Sequence, residues 1–545
     1  MIYILYHQKI IRAHQTTKKR RIRRADWAAD QYIYTYRHNR IHHRFTVSRE
    51  EAMDTLVQVL TLGTAFIIFL AVFRRSIWHG RGPARPTLVE ISDSAVARTA
   101  LIDHADAFSN RPLTLFPVAL VTGQRRRRSD SISSAQYGPL WRALRCNLTS
   151  EALHPSRFDQ LGPLRREFVA ALVASLSARV AGDGGDVVVI RDSVHAAVFA
   201  LVARLCFGDL VGDAAHLLAM RRVMQQFVRA IGEANAFAGS WLTKLLHWRQ
   251  WRRFVAYRGQ QAAFFLPLVS ERDRRRRSGC CNDGGIRPYV DTLIDLRVPD
   301  DDEDDDDNDT ARRALTDDEM VSLLSEFLGA STESVVSCIE WALAHLAAQP
   351  EVQEKLRREI AGDGGGEGGA VPEERLRTLP YLHAVVLEAL RLHPPVPFLM
   401  REAHADAEGA AAVAGGGTTA VPAVGGGGRT RVHFLIRDMA RDRKDWTDPD
   451  EFWPERFLAN GEAEGVGAVP GPKEIRMMPF GAGRRYCPGA GMGMVHIKCF
   501  LAGLVREFEW APAADGHGCG IDFTELDGFF KVMKTPLRAH VKRST

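Results

Sequence analysis

The sequence predicts a mainly helical fold with a small β part, in which a single large domain follows an N-terminal membrane anchor. Three observations predict it: long segments with apolar residues at helical spacing, only two short stretches of strand character, and an uncharged apolar run near the front. A chain of 545 residues with ordinary apolar content can bury a large core. A disordered or fibrous protein is therefore excluded.

The front of the chain is basic and then apolar. Residues 1–52 carry many Arg and Lys and few acids, and Met53 offers a natural start, so a transit-like extension and a spurious one both stay open. Residues 56–73, LVQVLTLGTAFIIFLAVF, predict a single transmembrane anchor; a buried globular helix is the alternative. Arg74 and Arg75 favour a cytosolic body, whereas residues 18–24 place more positive charge before the run.

The composition limits the redox environment and the kinds of partner that are expected. Eight scattered cysteines do not form a disulfide framework, so reduced thiols on the cytosolic side of a membrane are expected. The net charge of +6 arises from local runs and does not indicate a nucleic-acid partner.

The body contains regular helical patterns with breaks between them. Apolar spacing predicts helices at residues 161–180, 194–205, 220–234, 317–348 and 380–392, and short strands at 87–91 and 431–436. Charge runs and Gly/Ala-rich composition predict solvated loop insertions near residues 272–285, 300–309 and 410–428. The catalytic domain is expected over residues 76–545.

The segment FGAGRRYCPG, residues 480–489, holds one thiol in a stiff frame of glycines and a proline. A helical pattern starts at Ala490, so Cys487 stands before a helix N-terminus, where free N–H groups stabilise a thiolate. The loop offers arginines, no neighbouring base and no second ligand at zinc-site spacing. A haem iron with one axial thiolate fits best, and a glycine-rich turn around a buried cysteine is the structural alternative.

These residues carry a family resemblance. Phe480, Gly483, Arg485, Cys487 and Gly489 match the F-x-x-G-x-R-x-C-x-G signature, and the chain resembles the cytochrome P450 superfamily. From about residue 86 to 545 it is similar to plant microsomal members of the A type. The resemblance implies haem b (iron protoporphyrin IX), with the cysteine as proximal iron ligand, the arginine on a haem propionate and the phenylalanine near the thiolate.

A second segment, PYLHAVVLEALRLHPP, places Glu388 and Arg391 three residues apart on one helical face. This pair resembles the E-x-x-R of the family's K helix, and FWPERF supplies Arg456 as the third partner. The resemblance implies a structural triad behind the cysteine loop, in which the loss of one member leaves an unpaired buried charge.

The third match lies midway along the long apolar helix at residues 317–348. Glu333 and Ser334 resemble the acid and alcohol of the family's oxygen-activating A-G-x-D/E-T-T/S pattern, although Ser331 and Val335 depart from it. The resemblance implies catalytic proton relay through Glu333 and Ser334. A kink-forming serine beside a buried acid is the structural alternative.

Three further residues resemble haem-propionate contacts: Trp141 and Arg145 in the W-x-x-x-R of the family's C helix, and Arg401 after the K helix. Met400 stands where the family usually has proline. Each arginine could instead be an ordinary surface residue.

Together these matches imply a haem-thiolate monooxygenase of plant secondary metabolism in the endoplasmic reticulum membrane, its catalytic domain cytosolic. It would take electrons from NADPH–cytochrome P450 reductase, docked near Arg142, Arg145 and Lys498, and oxidise a small, mostly apolar substrate. No dinucleotide fingerprint follows a strand, so NADPH is not expected to bind this chain. Residues 74–85 are shorter than the family's hinge and first elements. A peroxide-rearranging relative and an inactive haem-binding remnant are the alternatives.

Overall fold

Helices form most of the body, as the apolar spacing predicts. The computed structural model describes residues 88–112, 130–180, 186–234, 241–279, 286–300, 312–362, 371–404, 429–513 and 520–544, with Leu60, Gly63 and Thr64. The elements up to the centre of the chain are β1 Leu88–Ile91, α1 Ser94–Arg98, α2 Pro139–Asn147, α3 Ser156–Gln160, α4 Gly162–Arg179, β2 Asp186–Val189, α5 Arg191–Phe207, α6 Ala214–Glu233, α7 Trp241–Leu246, α8 Trp248–Arg277 and α9 Tyr289–Asp295.

The later elements are β3 Arg297–Pro299, β4 Arg312–Ala314, α10 Asp317–Ala348, α11 Pro350–Ala361, α12 Glu373–Arg377, α13 Pro380–Leu392, β5 Phe398–His404, β6 Arg429–Leu435, α14 Ile436–Met439, α15 Ala490–Glu507, β7 Phe508–Pro512 and β8 Arg538–Arg543. Short π-helical turns (Thr99–Asp103, Leu148–Ala152) and 3₁₀ turns (Gly208–Val211, Pro454–Phe457, Gly483–Arg485) connect some of them. The helices predicted at 317–348 and 380–392 are confirmed at both ends.

The long helix α10 forms the centre of the core. Its start is fixed by a capping box, in which Thr316 and Glu319 satisfy each other's backbone N–H groups. Its residues are buried along nearly the whole length, and it packs against α5, α8, α13 and α15. A helix buried on all sides explains why the sequence shows no polar face there.

Small sheets flank this helical core. β6 lies between β1 and β5, parallel to β1 from Leu88 opposite Arg431, and antiparallel to β5. β8 joins β2 and β7, and β3 pairs with β4. The first sheet buries its own apolar cluster against the turn that precedes the cysteine loop. The first sheet therefore has an apolar cluster of its own, whereas β2, β7 and β8 contribute buried residues to the main core that α10 and α15 share.

One predicted loop is helical. The insertion expected at 272–285 begins inside α8, which continues to Arg277. Arg272 is buried, and its Nε lies 2.7 Å from Asp291 Oδ1 in an ion pair with α9. The prediction of a loop is therefore wrong for residues 272–277, which are helical. The prediction of a solvated side chain is wrong for Arg272, because a carboxylate from another helix satisfies its charge, whereas Arg274 and Arg277 are exposed. Residues 280–285, 301–309 and 410–428 lie outside the described residues.

The front of the chain was predicted to hold an anchor. The chain divides into two units, Met1–Arg85 and Pro86–Thr545. The extension at 1–52, the anchor at 56–73 and residues 74–85 lie outside the described residues, apart from the three near residue 60. Within the described part, one helix is long and apolar enough to cross a membrane, Arg191–Val211. Since 67% of its apolar window is buried inside the fold, it has the character of a core helix.

Candidate active site

The cysteine loop is shaped by two glycines in the left-handed region. Gly481 has φ +74° and Gly483 has φ +71°, and a Cβ on Gly483 would lie 2.3 Å from the carbonyl oxygen of Leu101. The backbone N–H of Cys487 donates to Phe480 O at 2.8 Å, which closes the loop. Only glycine fits this close approach without strain. The loop therefore presents the thiol in one fixed position.

The thiol lies just before α15, as the sequence predicts, and its charge state is set by two opposing effects. Burial raises the pKa of Cys487, and the N–H of Gly489 and the charges of Arg145 and Arg111 oppose this rise. The N–H of Gly489 therefore favours a thiolate, in the direction the sequence predicts, while desolvation is the larger effect on the pKa of Cys487. A bound cation would reverse the balance, since a coordinating thiol is deprotonated.

Arg485 lies in a cage of carbonyl oxygens. It donates to Ser109 O at 2.7 Å, Ile132 O at 3.1 Å and Ala135 O at 2.6 Å. Its guanidinium carbon lies 4.9 Å from the centre of the Trp141 ring. Burial lowers the pKa of Arg485 to about 9, with Arg111 as the next cause, so the site already holds excess positive charge.

Arg401 is buried with part of its guanidinium unused. Nη1 donates to Met400 O at 2.9 Å, while Nη2 is buried without a hydrogen-bond partner among the described residues. Burial lowers the pKa of Arg401 well below its usual range, and Arg111 and Arg485 lower it further. A buried donor without a partner costs free energy unless a ligand satisfies it.

Trp141 and Arg145 lie one turn apart on α2, as predicted. Arg145 Nη1 donates to Tyr486 O at 2.8 Å and its guanidinium stacks over the Tyr486 ring at 4.8 Å. Trp141 Nε1 is buried and has no acceptor within the described ranges. The sequence-predicted tryptophan therefore offers a free donor, whereas the arginine already holds the cysteine loop.

Arg111 is a member of this cluster that sequence reasoning missed. It donates to Ser133 O at 3.2 Å, and burial lowers its pKa while the charges of Glu326 and Cys487 raise it. No helical pattern or signature motif surrounds Arg111 in the sequence, so no sequence signal assigns it to the site. Within the described residues, none of Arg111, Arg145, Arg401 and Arg485 forms an ion pair with a carboxylate, and the four leave a concentration of positive charge beside the thiol.

The triad predicted behind the loop is assembled. Arg391 Nε lies 2.7 Å from Glu388 Oε2, Arg456 Nε lies 3.0 Å from Glu388 Oε1, and all three side chains are fully buried. Glu388 Oε1 also accepts from the N–H of Trp453. Arg391 donates further to three carbonyl oxygens of the segment before the cysteine loop. Every charge in the group therefore has partners.

Glu333 and Ser334 lie together on α10 but have separate partners. Ser334 Oγ donates to Ala330 O at 2.7 Å, which is a local bond within the helix. Glu333 Oε1 lies 3.0 Å from Nε2 of His195 on α5. The sequence predicted the acid and the alcohol but not this histidine, which looks like one polar residue in an apolar helix.

Comparisons with known proteins agree with this geometry. The family model "Cytochrome P450" matches residues 83–542. The chain is a cytochrome P450. Among its curated relatives, Cytochrome P450 89A9 of Arabidopsis thaliana is 34% identical over 471 residues, covering 83% of each chain. Cytochrome P450 98A1 of Sorghum bicolor is 27% identical, covering 86% of this chain and 84% of its own.

The name of a third relative states a reaction. Tabersonine 6,7-epoxidase isoform 1 of Catharanthus roseus is 26% identical over 442 residues, covering 81% of this chain and 79% of its own. The relatives are plant cytochrome P450s, which agrees with the predicted A type. As a cytochrome P450, the chain is a monooxygenase of this family with a haem-thiolate cofactor.

Proposed function

We propose that this cytochrome P450 binds haem b through Cys487 and inserts one oxygen atom of dioxygen into a small, mostly apolar molecule at the endoplasmic reticulum membrane. The electrons would come from NADPH through NADPH–cytochrome P450 reductase. One observation carries the proposal: a buried thiol lies among buried guanidinium groups that have no carboxylate partner in the described part of the chain. A bound metal ion would supply the positive charge that a thiolate at Cys487 needs. Anionic groups around that ion would supply the negative charge that the guanidinium groups need.

The residues present fit this cofactor. Cys487 would ligate the iron, and its raised pKa would fall on coordination. Arg401 and Arg485 would face the two propionates, and Trp141 Nε1 would donate to one of them. Phe480 and Gly489 would frame the thiolate, and Gly483 would hold the loop. When bound, thiolate-ligated haem supplies the oxidising power for oxygen insertion.

Other side chains of α10 would serve the reaction. Glu333 and Ser334 would supply protons during reduction of dioxygen, because an acid and an alcohol lie next to each other there. The rest of the helix is buried and apolar, which would exclude stray water.

An apolar substrate is supported by the contacts of Glu326, an acid on α10 two turns before Glu333. Its two carboxylate oxygens accept the N–H groups of Ile132 at 2.9 Å and Ser133 at 2.8 Å. An acid satisfied by backbone donors does not attract a basic substrate strongly. Apolar contact therefore would dominate recognition.

Reductase docking is proposed at the surface near α2. Of the three basic residues predicted for it, Arg142 is exposed, Arg145 is engaged with Tyr486, and burial lowers the pKa of Lys498. Arg142 would therefore contribute most to attraction of an acidic partner.

The test is the reduced, carbon-monoxide difference spectrum of the full chain in microsomes, compared with Cys487→Ser and with Cys146→Ser, which alters an exposed cysteine on α2. We expect the long-wavelength band of thiolate-ligated haem in the wild type and in the Cys146 variant, and its loss in the Cys487 variant. A band at the shorter wavelength of a neutral ligand, or no haem, would contradict the proposal and favour an inactive remnant.

A second measurement tests the electron source. Added reductase and NADPH should drive oxygen-dependent NADPH consumption by the loaded protein, at a rate that falls when Arg142 is replaced by Glu. A loaded protein that converts a fatty-acid hydroperoxide and consumes no NADPH would instead be a peroxide-rearranging relative.

A further inference from the structure

The interface between α5 and α10 contains two acid–base contacts with different chemistry. Arg191 Nε lies 2.7 Å from Glu340 Oε2, and Glu340 Oε1 accepts the N–H of Leu537 at 3.0 Å. Both oxygens of this carboxylate are therefore used, and its side chain is 1% exposed. This contact is complete and joins the two helices to the C-terminal segment.

The second contact is incomplete. Glu333 Oε1 lies 3.0 Å from His195 Nε2, and Glu333 Oε2 has no hydrogen bond to another described residue. The side chain of Glu333 is 17% exposed, whereas that of His195 is 4% exposed. One end of this carboxylate is held, and the other end remains able to reach a different group.

The histidine is itself held firmly. Its ring packs near Phe199, one turn further along α5, with centroids 6.2 Å apart and planes 23° apart. Nδ1 is buried without a partner within the described ranges. Nε2 is therefore the ring atom that forms a hydrogen bond, and it is aimed at the acid. Packing fixes the ring, so the histidine can determine where the carboxylate lies.

The alcohol does not share this contact. Ser334 Oγ donates to Ala330 O, within its own helix. The acid and the alcohol proposed to deliver protons therefore have different partners in the structure, although they are adjacent in sequence. Delivery of a proton from the acid requires its carboxylate to keep a defined orientation and to regain a proton afterwards.

We infer that His195 is a positioning residue for the proton-delivering acid Glu333: its Nε2 holds the carboxylate in one orientation through this hydrogen bond. The inference rests on the proposed function, since proton delivery matters only to reduction of dioxygen. In the absence of substrate, two electrons and two protons convert dioxygen to hydrogen peroxide, and four electrons and four protons convert it to water. Faulty proton supply favours peroxide.

The experiment compares His195→Phe, which keeps a flat ring beside Phe199 and removes the hydrogen bond, with His195→Gln, which restores a side-chain N–H donor. His216→Phe is the matched control, because the His216 ring packs edge-on against Phe264 of α8. The probes are dioxygen, NADPH and added reductase, without organic substrate, and the readout is hydrogen peroxide formed per NADPH consumed. We expect at least a threefold rise for His195→Phe and values near wild type for the other two variants.

A second readout needs neither haem nor turnover. Unfolding of wild type, His195→Phe, Glu333→Leu and the double variant gives the coupling between the two side chains, because each single variant removes the hydrogen bond. We expect a coupling of about tenfold in the unfolding equilibrium constant, equivalent to about 1.4 kcal/mol. A coupling below twofold would overturn the inference at its structural step.

The two readouts separate the failures. If wild type lacks the thiolate-haem band, the proposed function fails, whatever the coupling. If the band is present and the coupling is found, but His195→Phe leaves the peroxide fraction unchanged or His195→Gln fails to restore it, the histidine is only a packing residue and the inference is overturned.

Discussion

Two groups of buried arginines in this protein differ in what neutralises them. In the triad, Arg391 and Arg456 share the carboxylate of Glu388, and all three side chains are fully buried. Beside the cysteine loop, Arg401 and Arg485 are equally buried but bond only to carbonyl oxygens in the described part of the chain. The first group is complete in the protein alone, and the second has the charge expected of a site that binds an anion.

The difference is energetic. A buried ion pair that is satisfied on all sides costs little to keep but several kcal/mol to break by removal of one partner. Buried cations without anions cost free energy in the empty protein, and the lowered pKa values of Arg401 and Arg485 express this cost. Changes in the first group should therefore affect folding, and changes in the second should affect ligand retention.

The largest effect is expected at the triad. Glu388→Gln removes the carboxylate that Arg391 and Arg456 share. Buried Arg391 then keeps only carbonyl oxygens as partners in the described part of the chain, whereas Arg456 keeps its ion pair with Glu462. We expect the free energy of unfolding to fall by about 3–5 kcal/mol. Urea unfolding followed by tryptophan fluorescence measures it. Glu374→Gln on the exposed side of α12 is the control, and a loss below about 1 kcal/mol for Glu388→Gln would show that carbonyl oxygens suffice.

At the second group, removal of one charge should weaken haem retention much more than folding stability. Arg401→Met removes a buried cation whose Nη2 has no partner in the described structure, so the haem-free chain should lose little stability. Haem retention should fall about 10–100-fold, as for loss of a charge-assisted hydrogen bond worth about 1.5–3 kcal/mol.

The measurement for Arg401→Met is the rate of haem transfer to apomyoglobin, together with the haem-to-protein ratio. Arg437→Met, on the exposed side of α14, is the matched control. Unchanged haem transfer combined with a large loss of folding stability would assign Arg401 to the structural group and remove the contrast.

Much of this contrast could be predicted from sequence where the signal is local. The bounds of α10 and α13 follow from apolar spacing and from a capping threonine or a proline at the start. The glycine and cysteine positions of the loop follow from a ten-residue signature. These features depend on neighbours in the chain, so the pattern contains them.

The contacts that could not be predicted join distant segments. Arg272 belongs to a run that looks solvated, yet it is paired with Asp291 of the next helix. Arg111 and His195 contact their partners only through the fold. The charge of Cys487 raises the pKa of Arg111, and His195 forms a hydrogen bond with Glu333, which is 138 residues away in the sequence. A lone arginine or histidine has no periodicity to reveal such a partner.

A smaller effect is expected from the loop that carries Arg485. Gly483→Ala places a side chain at φ +71° and against the carbonyl of Leu101, so we expect a loss of about 2 kcal/mol in the free energy of unfolding, with weaker haem binding. Gly212→Ala is the control, because its φ is −81° and its new Cβ would meet no atom within 4 Å. Equal stabilities for Gly483→Ala and Gly212→Ala would mean that the backbone of Gly483 does not hold the site.

The effect that is smallest at neutral pH concerns a buried group that is uncharged in the folded protein, unlike the arginines. His496 on α15 is buried, its Nε2 has no partner among the described residues, and burial lowers its pKa to about 3. The unfolded chain gains a proton on this group as the pH falls below about 6.5, and the folded protein does not until about 3. The contribution of His496 to stability is therefore full above pH 6.5 and lost progressively between pH 6.5 and 3.

His496→Leu should flatten this acid-side loss. The difference in unfolding free energy between variant and wild type should grow as the pH falls, approaching about 1.4 kcal/mol per pH unit well below pH 6.5. Urea unfolding at several pH values measures it, with His154→Leu at an exposed position as control. Parallel stability curves for His496→Leu and wild type would mean that the folded protein accepts the proton. The free-energy cost of burying a charge in this interior would then be smaller than the contrast between the two arginine groups requires.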